Sequence, residues 1–242
     1  MTPPSHFAGL ADAGLNLQAL FNLRDLPVTL QSQLAEDAAD WSQLLLLGHA
    51  GPTLWHQLTD AGAVSGDAVA RADPIDDYSR AQVARLFNDE LAGHRYRIIY
   101  PGSERVALQQ LGALAGWHHS SPFRVGISER WGSWFAYRAV VLTDTGLHPF
   151  STPVGGSPCS RCVERPCITS CSGQVLDRPD ATAACIRFRL EHNSPCAGHC
   201  AARWACPVAV EERYSAEQFH YHYRRSLQTL RCWAVQADSI RK

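Results

Sequence analysis

At 242 residues and 45% hydrophobic content, the chain can bury a sizeable core, as one large domain or as a domain carrying a smaller module. The formal net charge is −1, spread as ten acids against three arginines in residues 1–80 and eight acids against twelve basic residues in 159–242, short of the basic stripe of a nucleic-acid binder. The only lysine is the last residue, Lys242, which excludes Schiff-base, P-loop and kinase-type chemistry that needs an internal lysine.

The start, MTPPSHFAGLADAG, has neither a basic head nor a long apolar stretch, so no secretory signal is expected. Leu44 to Leu47, the longest leucine run, is far too short to cross a bilayer. A reducing cytoplasm, which suits free thiolates, is the expected location.

In chain order, AGLNLQALFNL reads as a short amphipathic segment or strand ahead of Pro27, and a helix is expected over about 29–40. Leu44–Leu47 reads as a buried strand closed by the turn GHAGP (48–52), and a helix begins at Thr53. GHAGP is a candidate anion loop, although glycines at a strand-to-helix turn often only make the turn. Asp76 or Asp77 is expected to cap a helix over about 78–91 with Val83, Leu86 and Phe87 on one face. RYRIIY (95–100) alternates like a strand. A strong helix is expected from Glu104 to about residue 117, with Val106, Leu108, Leu111, Leu114 and Ala115 inward. WFAYRAVVL (134–142) returns to a strand pattern. From Gly155 the composition turns to glycine, proline and cysteine. A last helix follows over about 211–235, with Ser215 and Gln218 as a capping box that can mark its true start. Helices alternate with strands, so an α/β or α+β layered fold is expected.

Eight of the nine cysteines lie between Cys159 and Cys206, and the first 158 residues have none. Cys159, Cys162, Cys167 and Cys171 form a ferredoxin-type run with a stretched middle gap. Cys185, Cys196, Cys200 and Cys206 form a second group that closes on a Cys-Pro step. In two-cluster ferredoxins the last cysteine of one run ligates the other cluster, so two [4Fe–4S] centres are expected. Structural zinc competes through the knuckles Cys159/Cys162 and Cys196/Cys200. Disulfides and buried free thiols fit less well in a long, reducing-compartment chain. Cys232, in RCWAV, reads as a packed core thiol.

SPFRVGISERWGSWFAYRAVVL (121–142), followed by these cysteine groups, resembles the iron–sulfur, cobalamin-dependent branch of the nitroreductase-like superfamily. That branch includes epoxyqueuosine reductases and reductive dehalogenases. GPTLW (51–55), DPIDDY (73–78), RWGSWFAYRAVVL and EERYSAEQ (211–218) are similar to cobalamin-processing chaperones of the CblC family, which lack the cysteines. SPCSRCVERPC and CAGHCAARWACP are similar to a bacterial group described as ferredoxin-like or CblC-like.

The resemblance implies an α+β fold: a nitroreductase-like mixed sheet flanked by helices, with a C-terminal ferredoxin-like iron–sulfur module. Its expected divisions are a corrinoid-binding domain over 1–154, a cluster module over 155–210 and a C-terminal helix over 211–242 packing back on the core. By analogy with epoxyqueuosine reductases, one cluster takes Cys159, Cys162, Cys167 and Cys206, and the other takes Cys171, Cys185, Cys196 and Cys200. A base-off cobalamin lies against the sheet, near enough to receive electrons; FMN is an alternative occupant of that cleft. No Asp-x-His-x-x-Gly motif supplies an axial histidine. Two departures matter. The proton-donor aspartate of epoxyqueuosine reductases has no match in Tyr100-Pro-Gly-Ser-Glu104, and Ile127-Ser-Glu replaces the Ile-His-Pro of relatives. The helical-repeat extension used for transfer RNA is missing, so no nucleic-acid partner is expected, and no membrane.

Trp131, Trp134, Phe135 and Tyr137 are candidate ring contacts, with core packing as the bland reading. Arg138, charged within an apolar strand, needs a partner. It and Arg213 match arginines that bind the thiol cosubstrate in CblC proteins; a structural ion pair is the alternative. Tyr100 and Glu104 are the candidate catalytic proton donors, with His118 and His119 behind them. His220 and His222 are two apart and cannot share a helical face. The expected function is an oxidoreductase that reduces or processes cobalamin, for example by removing its upper ligand, with an external donor such as ferredoxin or flavodoxin. A ferredoxin-like electron carrier, a flavin- or corrinoid-dependent reductase of another substrate and a zinc-stabilised binding module are the alternatives.

Overall fold

Leu44, Leu45, Leu46 and Leu47 are each at most 1% exposed, because the strand they form is covered on both faces. The computed structural model describes residues 7–34, 38, 40–64 and 73–240. Its strands are β1 (Leu17–Asn22), β2 (Gln43–Ala50), β3 (Tyr96–Tyr100) and β4 (Phe135–Thr143), in the spatial order β1-β2-β4-β3. Each neighbouring pair is antiparallel, which corrects the mixed sheet expected from the resemblance. β2 and β3 run in the same direction, but β4 is inserted between them, so no parallel pair forms. On the outer side of β1, Leu20 and Phe150 exchange backbone hydrogen bonds of 2.8 and 3.0 Å, which covers part of that edge.

Two compact units emerge: residues 1–119 with 134–156, and residues 120–133 with 157–242. In the first, the helices are α1 (Ala8–Asp12), α2 (Val28–Gln31), α3 (Thr53–Asp60), α4 (Pro74–Asp89) and α5 (Leu108–Leu114). α3 packs on β2 and α4 on β4, the latter through Val83, Leu86 and Phe87. α4 starts earlier than expected. Asp73 holds the N-cap position and Pro74 the first turn, while Asp76 and Asp77 sit inside that turn, where carboxylates favour the helix dipole.

Two helices are shorter than the sequence pattern implies. α2 stops at Gln31 because Leu30 is its one buried anchor, and a helix without an apolar stripe has little to hold it. Residues 35–37 and 39 of the expected helix lie outside the described residues. α5 begins at Leu108 because Glu104 is drawn to the Arg97 guanidinium on β3 instead of joining a helical turn. Leu111 and Ala115 are buried as expected, whereas Val106, Leu108 and Leu114 are half-buried.

The second unit holds α6 (Pro166–Thr169), α7 (Ala181–Leu190), α8 (Ala201–Trp204) and α9 (Ala216–Ile240). Ser215 Oγ accepts the Gln218 N–H at 3.1 Å, so α9 starts where the capping pair indicated. Only half of the reciprocal box forms, since the Gln218 side-chain oxygen has no hydrogen-bond partner among the described residues. Cys232 is exposed on α9 beside Trp233, 62% exposed, rather than packed in the core. Amphipathic setting in sequence did not make it interior, because no described residue of its unit covers it.

Candidate functional site

The apolar cluster of the second unit is small and partly built from sulfur. Phe123, Ile127, Val175, Leu176, Ala184 and Ala202 pack with buried Cys167 and Cys206, and Cys159, Cys171, Cys185 and Cys200 lean against them. Short elements deliver the thiols: a 3-10 turn at Pro158–Ser160 for Cys159, α6 for Cys167, α7 for Cys185 and the start of α8 for Cys200. All nine cysteines are free.

The eight clustered thiols line two separate cavities, four each. One, of about 260 Å³, is lined by Cys159, Cys162, Cys167 and Cys206. The other, of about 200 Å³, is lined by Cys171, Cys185, Cys196 and Cys200. These are the quartets that the resemblance to epoxyqueuosine reductases implies. Burial pushes the Cys159 and Cys167 thiols up, and Cys206 and Cys162 push them further. Burial likewise raises Cys185, with Cys200 adding to it, and drives Cys196 up to about 11. Neutral thiols in both cavities would have to shed protons to bind metal. Among the described residues no three His, Cys, Asp or Glu side chains close on a single-ion position.

Cys200 caps α8, its sulfur accepting the Arg203 N–H at 3.4 Å. The Arg203 side chain is buried; its Nε donates to Ser133 Oγ at 3.2 Å and its Nη2 to the Ser133 carbonyl. Arg213 lies over the Trp204 ring at 4.8 Å and donates to the Cys206 carbonyl at 3.4 Å, beside the first cavity. Trp131 is half-buried under the Arg130 guanidinium, 4.5 Å away. His220 Nδ1 faces the Gly198 carbonyl at 3.1 Å and His222 packs on Tyr214, so the two do not form a metal pair.

In the sheet-bearing unit, the pairing of β4 with each of its neighbours is interrupted by a bulge. Arg138 is the extra residue opposite the Leu47/Gly48 step, and Ile99 is the extra residue of β3 opposite Val140 and Val141. Bulges re-aim side chains. Here Arg138 Nε donates to Nδ1 of the fully buried His49 at 2.8 Å. Burial raises Asp76 and Tyr100, and the Arg138 charge opposes both shifts. His49, Arg138, Asp76 and Tyr100 thus make one electrostatic group. Sequence reasoning missed His49 and Asp76 as members, although GHAGP and DPIDDY contain them.

Glu104 does not join that group; its carboxylate pairs with Arg97. Trp134 is fully buried and presents no surface to a ligand. The Gly51 N–H of GHAGP is already used by the Trp134 carbonyl at 2.9 Å, so the turn serves the backbone. Phe135 is buried and edge-on to half-buried Tyr137. Tyr137 Oη lies 2.9 Å from His118 Nδ1. Burial raises the phenol, and burial together with His119 lowers the imidazole, which favours the neutral form of both, and the imidazole tautomer sets which one donates.

No protein-family model matches the sequence, and no curated protein matches it. Solved structures are similar to it. An epoxyqueuosine reductase solved with an epoxyqueuosine-modified tRNA-Tyr stem loop aligns with a TM-score of 0.58 at 13% identity, over 89% of this chain and 67% of that one. The Bacillus subtilis epoxyqueuosine reductase gives a TM-score of 0.54 at 13% identity, over 86% and 66%. The C. elegans B12-trafficking protein CblC, at 14% identity over 96% and 97%, reaches only 0.46, too low to establish a common fold. The first of these was solved with an RNA stem loop. This chain has the fold of the epoxyqueuosine reductases over about two thirds of their length.

Proposed function

We propose that the protein carries two [4Fe–4S] clusters, one on Cys159, Cys162, Cys167 and Cys206 and one on Cys171, Cys185, Cys196 and Cys200. Its sheet-bearing unit binds a base-off corrinoid, which the protein reduces or processes. The observation that carries this reading is the sorting of eight thiols, four and four, around two cavities. Thiolates spread around a void suit a group of several irons.

The corrinoid part rests on the fold shared with epoxyqueuosine reductases and on the polar set of the sheet. Tyr100 and Arg138 offer donors to a ring rimmed with amides, and Tyr137 its aromatic face, against an apolar strand. His49 is tied to Arg138 inside the core and does not serve as a lower ligand, which fits the base-off form. When bound, the clusters supply single electrons and the corrinoid a metal centre that takes them. The chain itself holds protons. Burial keeps Tyr100 protonated, and the Tyr137–His118 pair stores another on the phenol. Glu104, as the counter-ion of Arg97, fixes the segment that follows β3. A cytoplasmic ferredoxin or flavodoxin is the electron donor that this chemistry calls for.

Anaerobic reconstitution with ferrous iron and sulfide should load about eight irons per chain and give a brown protein. Titration with hydroxocobalamin should then shift the visible spectrum to the base-off form. A colourless protein with stoichiometric zinc would overturn the cluster reading. Loaded clusters without a corrinoid shift would leave an electron carrier. Retardation of a tRNA stem loop would point to RNA as the substrate.

A further inference from the structure

At the mouth of the second cysteine cavity, unpaired charge meets apolar surface. The unit that holds it, residues 120–133 with 157–242, has fourteen arginines and lysines against nine acids, whereas the rest of the chain has eight against fourteen. Among the described residues no carboxylate lines either cysteine cavity, and the arginines of the second are Arg124 and Arg189. Arg189 is engaged, its guanidinium donating to the carbonyls of Cys196 at 3.3 Å and Tyr223 at 3.0 Å. Arg124 is not. It is exposed, and its guanidinium meets no acceptor among the described residues. A tight turn sets its backbone: its N–H donates to the Ser121 carbonyl at 3.1 Å, and its φ is 63°, a left-handed conformation that arginine seldom adopts. The wall beside it is apolar. Val125, Ile186, Phe188 and Leu230 line the cavity and are each half-buried, so the wall reaches the surface through them. The Phe188 ring stands against bare Gly173, where a Cβ would meet its Cδ1 at 2.9 Å, over the turn that follows Cys171.

We propose that this mouth is the docking surface for the electron donor, a small acidic protein that carries a one-electron centre. The inference rests on the cluster reading above. The reduced carrier gives up one electron and the oxidised cluster behind Arg124 takes it, with no bond made or broken and no proton moved. An apolar centre edged by arginine is common anatomy for a protein interface, and transient redox encounters need only a small one. Net positive charge in this unit steers a negatively charged partner and speeds its association. RNA fits less well. It is held by many phosphate contacts along a basic stripe, and this mouth sets a single free arginine beside hydrocarbon.

The test is anaerobic stopped-flow reduction of the reconstituted full chain by a pre-reduced acidic [2Fe–2S] ferredoxin, repeated with reduced methyl viologen, a small cationic one-electron donor. For wild type the ferredoxin rate constant should fall as salt is added. Arg124→Asp should lower it about tenfold at low salt, and Arg124→Asn by less. Both replacements tolerate the left-handed backbone, so the turn is kept. The viologen rate should hold or rise in both variants, which separates docking from damage to the cluster. Arg165→Asp reverses the exposed arginine that lines the first cavity, and should slow the ferredoxin less than Arg124→Asp does. Fully loaded Arg124 variants with the wild-type ferredoxin rate would overturn the docking site, as would a viologen rate that falls in step or a larger loss at Arg165. Weakened binding of a tRNA stem loop with an unchanged ferredoxin rate would assign Arg124 to RNA instead. Wild-type protein that takes up no iron would bring down the cluster reading, and this inference with it.

Discussion

Tyr137 Oη and Nδ1 of His118 share a hydrogen bond across 2.9 Å, and a bare Cα at Gly112 is what leaves room for the pair. A Cβ on Gly112 would stand 1.9 Å from Tyr137 Oη and 2.6 Å from two ring carbons. Gly112→Ala should therefore push the ring away and cost about 1–3 kcal/mol, the usual range for overpacking. A urea midpoint unchanged from wild type would show that the ring yields freely.

The same pair sets a pH dependence. His118 is held below its ordinary value by burial and by His119. A histidine lowered on folding contributes stability that is present above its unfolded value near 6.5 and is lost as pH falls through the lowered one. Tyr137→Phe removes the hydrogen-bond partner of the neutral ring and opens the site to water, so the His118 pKa should rise toward the ordinary value. Proton NMR of the imidazole measures this directly. A titration point that stays put would show that Tyr137 does not help to hold the ring neutral.

Arg138 is expected to matter for folding apart from any ligand. Arg138→Leu removes the bond to buried His49, and an unmade buried hydrogen bond costs about 1–3 kcal/mol. The lost charge also lets burial raise the Asp76 carboxyl further, which NMR titration of Asp76 would register. Arg138→Lys should keep the charge that opposes the Asp76 shift but not restore the bond to His49, because an ammonium lacks the Nε fork. Full stability in the lysine variant would mean that charge alone suffices.

Cysteine substitutions read out the ligand partition. Cys167→Ser should lower loaded iron from about eight to about four per chain, with the remaining signal from the second cavity. Cys196→Ser should do the converse, and the double variant should load little. If Cys167→Ser removed both signals, the two quartets would not be independent.

Much of this was legible in the sequence because it is local. The leucine run of β2, the alternation of β4 and the Ser215–Gln218 start of α9 are each written within a few residues, and backbone periodicity carries them. Helix ends were less legible: α5 lost its first turn to the Arg97–Glu104 pair, a contact that the helical pattern does not contain. Trp134 looked like its neighbours Trp131 and Tyr137, and only packing made it interior.

The sequence by itself determined that eight thiols crowd into one stretch, that an internal lysine plays no part, and that a buried strand lies within the first quarter of the chain. Tertiary structure decided which thiols face one another. Cys206 joins Cys159, Cys162 and Cys167 across nearly forty residues, while Cys171 leaves its own run for Cys185, Cys196 and Cys200. Tertiary structure also decided the antiparallel sheet and the joining of His49 to Arg138. The reason is physical: spacing along a chain fixes local geometry, but a cavity wall or a strand partner exists only once distant segments have closed on one another.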